Sequence, residues 1–285
     1  MNMVETVYRI PDAPRIALLS DLHGRPADRI IESLKNHKPD FICIAGDILY
    51  GTSPRDDVSP LVSQSNVMPL LEACAGLAPT YFSLGNHEWM IDEGDEETIR
   101  GSGVIILDNS WVDTGRCTGS GNIIIGGLSS ENAASYRRLR SSLKDAGKVT
   151  DRYPKLSFMN EITGKKTRSV RHDRSLPDMG WLEEFSRTSG YHILLSHHPE
   201  YFDHIDPNIE LVLSGHSHGG QWNYWSPFTR RWEGVFAPGQ GVFPKYSSGV
   251  YEKQGSRMVV SRGLSNTAPI PRIFNPTEIV YIEPM

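Results

Sequence analysis

Short apolar runs recur along this chain, and in its first half they alternate with segments of helical period. Runs over Arg15–Ser20, Phe41–Ala45, Tyr81–Leu84, Val104–Leu107 and Ile123–Ile125 predict strands, with Gly126 and Gly127 closing the last. Between them, Pro26–Asn36 carries Ile30, Ile31 and Leu34 at helical spacing, and Pro26 suits a first turn. Leu61–Leu77 predicts a second helix, interrupted or restarted at Pro69. Strands alternating with helices favour a largely parallel sheet. The rhythm resumes with a helix over Trp181–Arg187 and strands over His192–Ser196 and Glu210–Ser214. From Gly219 onward the composition turns to Gly, Pro and aromatic residues. The β-like runs there, Gly234–Ala237, Gly249–Glu252, Arg257–Ser261 and Glu278–Ile282, predict a second, mostly antiparallel sheet packed on the first.

Residues 128–177 break this pattern. Between Tyr136 and Arg174, 12 Lys or Arg face 4 Asp or Glu, which leaves the rest of the chain strongly acidic. A basic run is ordinarily a solvated face, but its place directly after a predicted strand end also suits a cap over a site. With that insertion at 128–177, the 285 residues suit one domain over 1–285 with a substantial core. A net charge of −5 excludes a general polyanion binder. Cys43, Cys74 and Cys117 are unpatterned and odd in number, which argues against a disulfide framework and for a reducing compartment. Met1 to Arg15 lacks the charged start and apolar core of a secretory signal, and no apolar stretch approaches the roughly 20 residues that span a bilayer. The expected location is cytoplasmic, with a peripheral membrane contact left open.

Five segments directly follow apolar runs: Asp21-Leu22-His23, Gly46-Asp47, Gly85-Asn86-His87-Glu88, His197 and Gly215-His216-Ser217-His218. Open α/β folds place their sites at such strand ends. Cations that activate water on phosphate need oxygen and imidazole ligands, a bridging carboxylate and an open coordination position. Asp21 and His23, two apart, would share a side of an extended strand end, and so would His216 and His218. Asp47 is placed to bridge two ions about 3.5–4 Å apart. Asn86 adds a neutral carbonyl oxygen, and His197 completes the set. Each piece alone is weak, since an isolated Asn-His is more often turn chemistry. Five in this order point to hydrolysis of a phosphate ester by a metal-bound hydroxide.

These segments resemble those of the calcineurin-like metallophosphoesterases, whose order D-x-H, G-D, G-N-H-[DE], a lone His and G-H-x-H is matched without a gap. Val212–Gln221, Ala237–Gly241 and Ser261–Leu264 are further similar to a bacterial branch of small phosphodiesterases, so the resemblance spans roughly residues 15 to 283. Some members of that branch cleave the UDP-2,3-diacylglucosamine pyrophosphate bond, and many are membrane-attached. The resemblance implies an α/β fold, a four-layer α/β/β/α sandwich of two mixed sheets with an inserted cap-like segment. It implies one ion held by Asp21, His23, Asp47 and His218, and another by Asp47, Asn86, His197 and His216. His87 would face the leaving oxygen as general acid, oriented by Asp56, Asp57 or Glu88.

The cofactors so implied are two divalent metal ions, Mn2+ first and Fe or Zn as alternatives, because mixed Asp, Asn and His ligands accept several metals. The expected substrate is a small or lipid-linked phosphodiester or pyrophosphate. A nuclease would use the basic insertion to track a nucleic-acid backbone, but the overall acidity and the lack of a recognisable nucleic-acid module weigh against it. A phosphomonoesterase could use the same metal core. A catalytically silent scaffold would characteristically have lost ligands. By alternation His198 should lie behind the site or at the surface, and His37, His172, His192 and His204 have no partner pattern. Arg25 could meet a phosphate or solvent. The run Trp222–Phe228, with Trp232, Phe236 and the adjacent Arg230 and Arg231, is either packing of the second sheet or an exposed lip. The oligomeric state is not legible.

Overall fold

The structure, a computed structural model, describes residues 3–50, 57–152, 176–206, 208–267 and 271–285. In chain order the first elements are β1 (Val4–Ile10), β2 (Ile16–Leu19), α1 (Asp28–His37), β3 (Phe41–Ala45), α2 (Pro60–Ser63), α3 (Val67–Leu77) and β4 (Thr80–Ser83). There follow α4 (Glu93–Gly101), β5 (Ile105–Leu107), β6 (Ser110–Thr118), β7 (Gly121–Leu128), α5 (Glu131–Asp145), α6 (Leu182–Arg187), β8 (Tyr191–Ser196) and β9 (Leu211–Ser214). Two small hairpins come next, β10 (Asn223–Ser226) with β11 (Arg231–Gly234) and β12 (Phe236–Ala237) with β13 (Gly241–Val242). The last strands are β14 (Gly249–Lys253), β15 (Ser256–Val260) and β16 (Glu278–Pro284).

Two six-stranded mixed sheets result. The first runs β1-β16-β2-β3-β4-β5, parallel except where β16 meets β2. The second runs β14-β15-β9-β8-β7-β6, parallel through its four inner strands and antiparallel at both edges. Alternation along each strand sorts the core into layers. Ile16, Leu18, Phe41 and Cys43 of the first sheet face Ile193, Leu195, Leu211 and Leu213 of the second in one buried cluster. The opposite face of the first sheet, with Ala17, Leu19, Ile42 and Ile44, packs on Ile30 and Leu34 of α1 and Leu70, Leu71 and Cys74 of α3. The opposite face of the second, with Ile124, Leu194 and Val212, packs on Leu182 and Phe185 of α6. The order is therefore helix, sheet, sheet, helix. Strands buried on both faces explain the continuous apolar runs.

Several sequence expectations need correction. The second sheet is parallel at its centre, and Glu278–Pro284 belongs to the first sheet, inserted between β1 and β2. Gly126 and Gly127 lie inside β7 rather than at its end. A side chain on Gly127 would meet Leu107 at 2.5 Å, so the sequence reads as a strand end where the two sheets simply approach closely. The expected helix Leu61–Leu77 is two helices, broken at Gln64–Asn66; Pro69 is the third residue of α3, where its missing N–H leaves no intrahelical bond unmade. β1 and β6 had no apolar run to reveal them, since polar residues interrupt both, Glu5, Thr6 and Arg9 in one and Asp113, Thr114 and Arg116 in the other.

Part of the basic segment is the helix α5, which packs back on the domain. Tyr136 is fully buried with the Trp89 ring edge-on at 4.2 Å, and Arg140 donates to the Met90 and Ile91 carbonyls at 2.8 Å each. Residues 153–175 of that segment lie outside the described residues. Among the described residues no helix is long and apolar enough to cross a membrane. Replacing Tyr136 by Ala removes a buried ring at the joint between α5 and the turn Asn86–Met90, and is expected to cost about 3–5 kcal/mol. Denaturant unfolding followed by circular dichroism measures it, and a loss under about 1 kcal/mol would show that α5 is not held through this ring.

Candidate metal centre

The loops that leave β2 and β3 continue to pair after the sheet ends. Asp21 N donates to Gly46 O at 3.1 Å, His23 N to Asp47 O at 3.1 Å and Gly24 N to Ile48 O at 2.8 Å. The second sheet does the same where Gly215 N donates to His197 O at 3.1 Å. The two sheets meet here, so the site draws Asp21, Asp47 and Asn86 from one and His197 and His216 from the other. The site therefore lies at strand ends, as expected, but across the ends of two sheets rather than one.

The ligand backbone is not extended. Asp21, His23, Asp47, His216 and His218 all adopt left-handed φ, at 55°, 52°, 56°, 64° and 48°. Such positions are sparsely populated by non-glycine residues, cost of order 1 kcal/mol and concentrate at functional sites. The left-handed turns, rather than an extended strand end, bring Asp21 and His23 together. Glycine is required where the turns crowd: a Cβ on Gly85 would stand 2.3 Å from Asp47 Oδ1 and 2.6 Å from Asp47 N.

Glu88 holds this arrangement from behind. Fully buried, it accepts from Gly85 N at 2.7 Å, Asp47 N at 2.8 Å and Leu49 N at 3.1 Å. Burial, then the nearby Asp47 charge, push its carboxyl up to about 7, against backbone donors that favour the carboxylate. Asp47 in turn takes His87 N on Oδ1 at 2.8 Å and faces His197 Nε2 with Oδ2 at 3.1 Å. Burial alone would raise the Asp47 carboxyl, but the surrounding His197, His87 and His23 rings outweigh it and hold it well below the usual carboxylate range.

The imidazoles are oriented by backbone carbonyls, which can only accept. His23 Nδ1 lies 3.2 Å from Leu49 O and His197 Nδ1 lies 2.6 Å from Ala45 O, so in the neutral rings the Nε2 lone pairs point inward. Burial pushes His23 down to about 3. Burial also lowers His197, but the Asp47 carboxylate more than offsets it and raises that ring to about 10. His23 Nε2 stands 3.9 Å from both Asp21 Oδ1 and Asp47 Oδ2, and His218 Nε2 stands 3.6 Å from Asp21 Oδ1. Among the buried atoms here, His23 Nε2 and Asn86 Oδ1 have no hydrogen-bond partner. Orphaned acceptors beside two buried carboxylates fit divalent cations.

Among the described residues, the groups close enough to share a cation include Asp21, His23 and His218, and Asp47, His197 and His216. Each group is part of one of the two ligand sets that the resemblance implies; a further close group joins His23, Asp47 and His87, and Asn86 is buried. His87 is also brought in, with Nε2 3.9 Å from Asp47 Oδ2. Its Nδ1 is held by the Tyr50 carbonyl at 2.7 Å. The expected orienting carboxylate is thereby corrected for Glu88, whose oxygens are occupied by backbone N–H groups. Asp57 is exposed, and Asp56 lies outside the described residues.

Two neighbours, Arg272 and Glu200, were not foreseen, and His198 lies behind the site, one of the two places expected for it. Arg272, almost wholly buried, places Nη2 3.0 Å from His218 Nδ1 and donates to the Ser265 and Arg262 carbonyls. Burial lowers its guanidinium to about 10. A guanidinium only donates, so the neutral His218 ring carries its proton on Nε2 here, and ligation through Nε2 requires that contact to be remade. His198 is buried, its ring 4.0 Å from that of His216, with Nδ1 3.2 Å from Glu200 Oε1 and Nε2 2.9 Å from Ser130 Oγ. His198, Glu200 and His216 form a further close group. Neither Arg272 nor Glu200 had a sequence signal of its own.

A family model described as calcineurin-like phosphoesterase matches residues 14–220. An uncharacterized metallophosphoesterase of Campylobacter jejuni, Cj0846, is 24% identical over 275 residues, covering 94% of this chain and 56% of its own. The uncharacterized metallophosphoesterase YkoQ of Bacillus subtilis is 23% identical over 272 residues, covering 92% of this chain and 80% of its own. The chain thus spans little more than half the length of the first of these relatives. A dimetal phosphatase from Danio rerio superposes with a TM-score of 0.49 at 13% identity, with 90% of each chain covered.

Gly85→Ala forces a Cβ into Asp47 and is expected to lower bound metal well below that of the unaltered chain. Elemental analysis after dialysis against Mn2+ and removal of free ion provides the check. Equal metal content in the variant would show that the glycine is not needed for the centre.

Proposed function

Because the chain belongs to the calcineurin-like phosphoesterase family, a family of dinuclear metal-dependent hydrolases, we propose that it is a metal-dependent phosphodiesterase acting on a small or lipid-linked phosphodiester or pyrophosphate. The observation that carries this reading is the convergence of Asp21, His23 and His218 in one close group and of Asp47, His197 and His216 in another, linked by a third of His23, Asp47 and His87. One cation would be held by Asp21, His23, Asp47 and His218, the other by Asp47, Asn86, His197 and His216. Mn2+ is the proposed metal, with Fe or Zn next, because the donors mix carboxylate, amide and imidazole. When bound, two such ions supply a water of lowered pKa and neutralise charge on the phosphate oxygens.

The chain's own groups do the rest. His23 and His197 are pre-oriented by carbonyls, so little reorganisation is needed on loading. Asp47 is fixed by Glu88 through its backbone and by the His87 N–H through Oδ1. His87, partly exposed and locked at Nδ1 by Tyr50, turns Nε2 toward the site. As imidazolium it can donate the Nε2 proton to the departing alkoxide, a role typically worth 10²–10⁴-fold.

The cations of α5 support a nuclease poorly. Arg137 pairs with Glu96 and Asp108, Arg138 with Glu131, and Arg140 with backbone carbonyls. Guanidiniums already paired within the domain have less to offer a nucleic-acid backbone.

Hydrolysis of bis-p-nitrophenyl phosphate with added Mn2+ is expected to exceed that of p-nitrophenyl phosphate, and a chelator should abolish both. Asp47→Ala and His216→Ala should remove activity with the fold retained by circular dichroism, and undiminished turnover in either would refute the site. His87→Asn is expected to lower kcat by roughly 10²–10⁴ while bound metal is unchanged. Loss of metal along with the rate would instead make His87 a ligand. Preference for the monoester would turn the reading toward a phosphomonoesterase.

A further inference from the structure

The β10–β11 hairpin carries an apolar surface that the fold leaves uncovered. Trp225 and Trp232 are cross-strand partners, their rings 6.0 Å apart and edge-on, and Phe274 lies 5.6 Å beyond Trp232. Phe228 sits in the connecting turn and is 95% exposed; Phe274 is 72% and Trp225 53% exposed. Sequence reasoning left packing and an exposed lip as alternatives, and these exposures decide for the lip. Large apolar residues clustered in water mark an interaction surface.

Its base is stitched to the candidate metal centre. Val235 N donates to Gly220 O at 3.1 Å, close to the turn that carries His218, and Asn223 N donates to Ile273 O at 2.9 Å. Ile273 directly follows Arg272, which contacts His218. The hairpin therefore projects from the rim of the ligand loops.

We propose that this lip docks on the surface of a lipid bilayer containing anionic headgroups. Three features favour that occupant. Phe228, 95% exposed in the turn, stands out from the surface, and acyl chains can mould around such a projection where a rigid partner face needs a matching pocket. Trp is suited to the headgroup boundary, where its ring is buried and its N–H stays wet. The charge also fits: Arg230 is exposed beside the apex, while the one carboxylate of the hairpin, Glu233, is matched by Arg231 at 3.5 Å and by the Tyr224 hydroxyl at 2.9 Å, which leaves the hairpin a net positive charge. A second copy related by a two-fold axis through this patch would bring the same arginines together. Resting on the function proposed above, docking would present the ligand loops to esters of lipid-linked phosphate. The docking itself requires no catalysis.

The test is cosedimentation of the full chain with phosphatidylcholine vesicles, with and without about one-third phosphatidylglycerol. Binding is expected to be stronger to the anionic vesicles, to fall with salt, and to shift tryptophan emission to the blue. Phe228→Ser combined with Trp225→Ser should lower the bound-to-free ratio at least about tenfold on both compositions. Arg230→Glu should lower it mainly on the anionic one. Mn2+-dependent hydrolysis of the soluble diester should be unchanged in these variants, which reports an intact fold and centre. Vesicle binding without any hydrolysis would sink the enzymatic reading and leave docking standing. Hydrolysis with no vesicle binding, or with binding indifferent to the lip substitutions, would overturn docking. A dimer in light scattering that the double variant dissociates would assign the lip to a second copy and likewise overturn it.

Discussion

One buried carboxylate underlies the whole candidate site. Glu88 gathers the backbone N–H groups of Gly85, Asp47 and Leu49, which belong to the loops after two neighbouring strands. These amides lie where the chain turns sharply at the ends of apolar strands, away from the regular ladder. Without that acceptor, three amides next to the core would be unsatisfied, each at a cost of about 1–3 kcal/mol. With it, Asp47 is held in a left-handed conformation and its side chain is aimed between His23 and His197. The geometry around Asp47 is thus set largely by backbone hydrogen bonds.

Two sheets packed face to face, with their strand ends side by side, provide the second constraint. The ordered segments that flank Asp21, Asp47 and Asn86 come from parallel strands of one sheet, and those flanking His197 and His216 from parallel strands of the other. The buried layer between them, built from residues such as Leu18, Cys43, Leu195 and Leu213, keeps the two groups of loops in register. Carbonyls at Ala45 and Leu49 then set the imidazole rings. His197 is oriented by a carbonyl of the opposite sheet, so ring orientation and sheet packing are one feature.

What could be read from residues alone followed burial. β3 was legible to the residue because both its faces are covered and its run is unbroken. β1 escaped notice because alternate positions face water, and β7 was cut short because a close approach to β5 demands glycines within it. The ligand residues stood out through their order and their position after apolar runs. Their conformation did not, since nothing in Asp21 or His23 announces a left-handed φ that only tertiary hydrogen bonds maintain. Arg272 and Glu200 were invisible for a similar reason: each reaches the centre from a segment with no motif of its own. The parallel centre of the second sheet was also hidden, because pairing direction leaves no trace in a short apolar run.

The placement of β16 has a consequence for how this molecule comes into being. An interior position of the first sheet, between β1 and β2, is filled by Glu278–Pro284. During synthesis β1 therefore waits for a neighbour that emerges only after both sheets' other strands, and the gap beside β2 exposes an unpaired edge meanwhile. Closing it joins segments very distant along the chain, a slow step in loop-entropy terms. A nascent chain with that edge open is exposed to chaperone capture or edge-to-edge misassociation until β16 arrives.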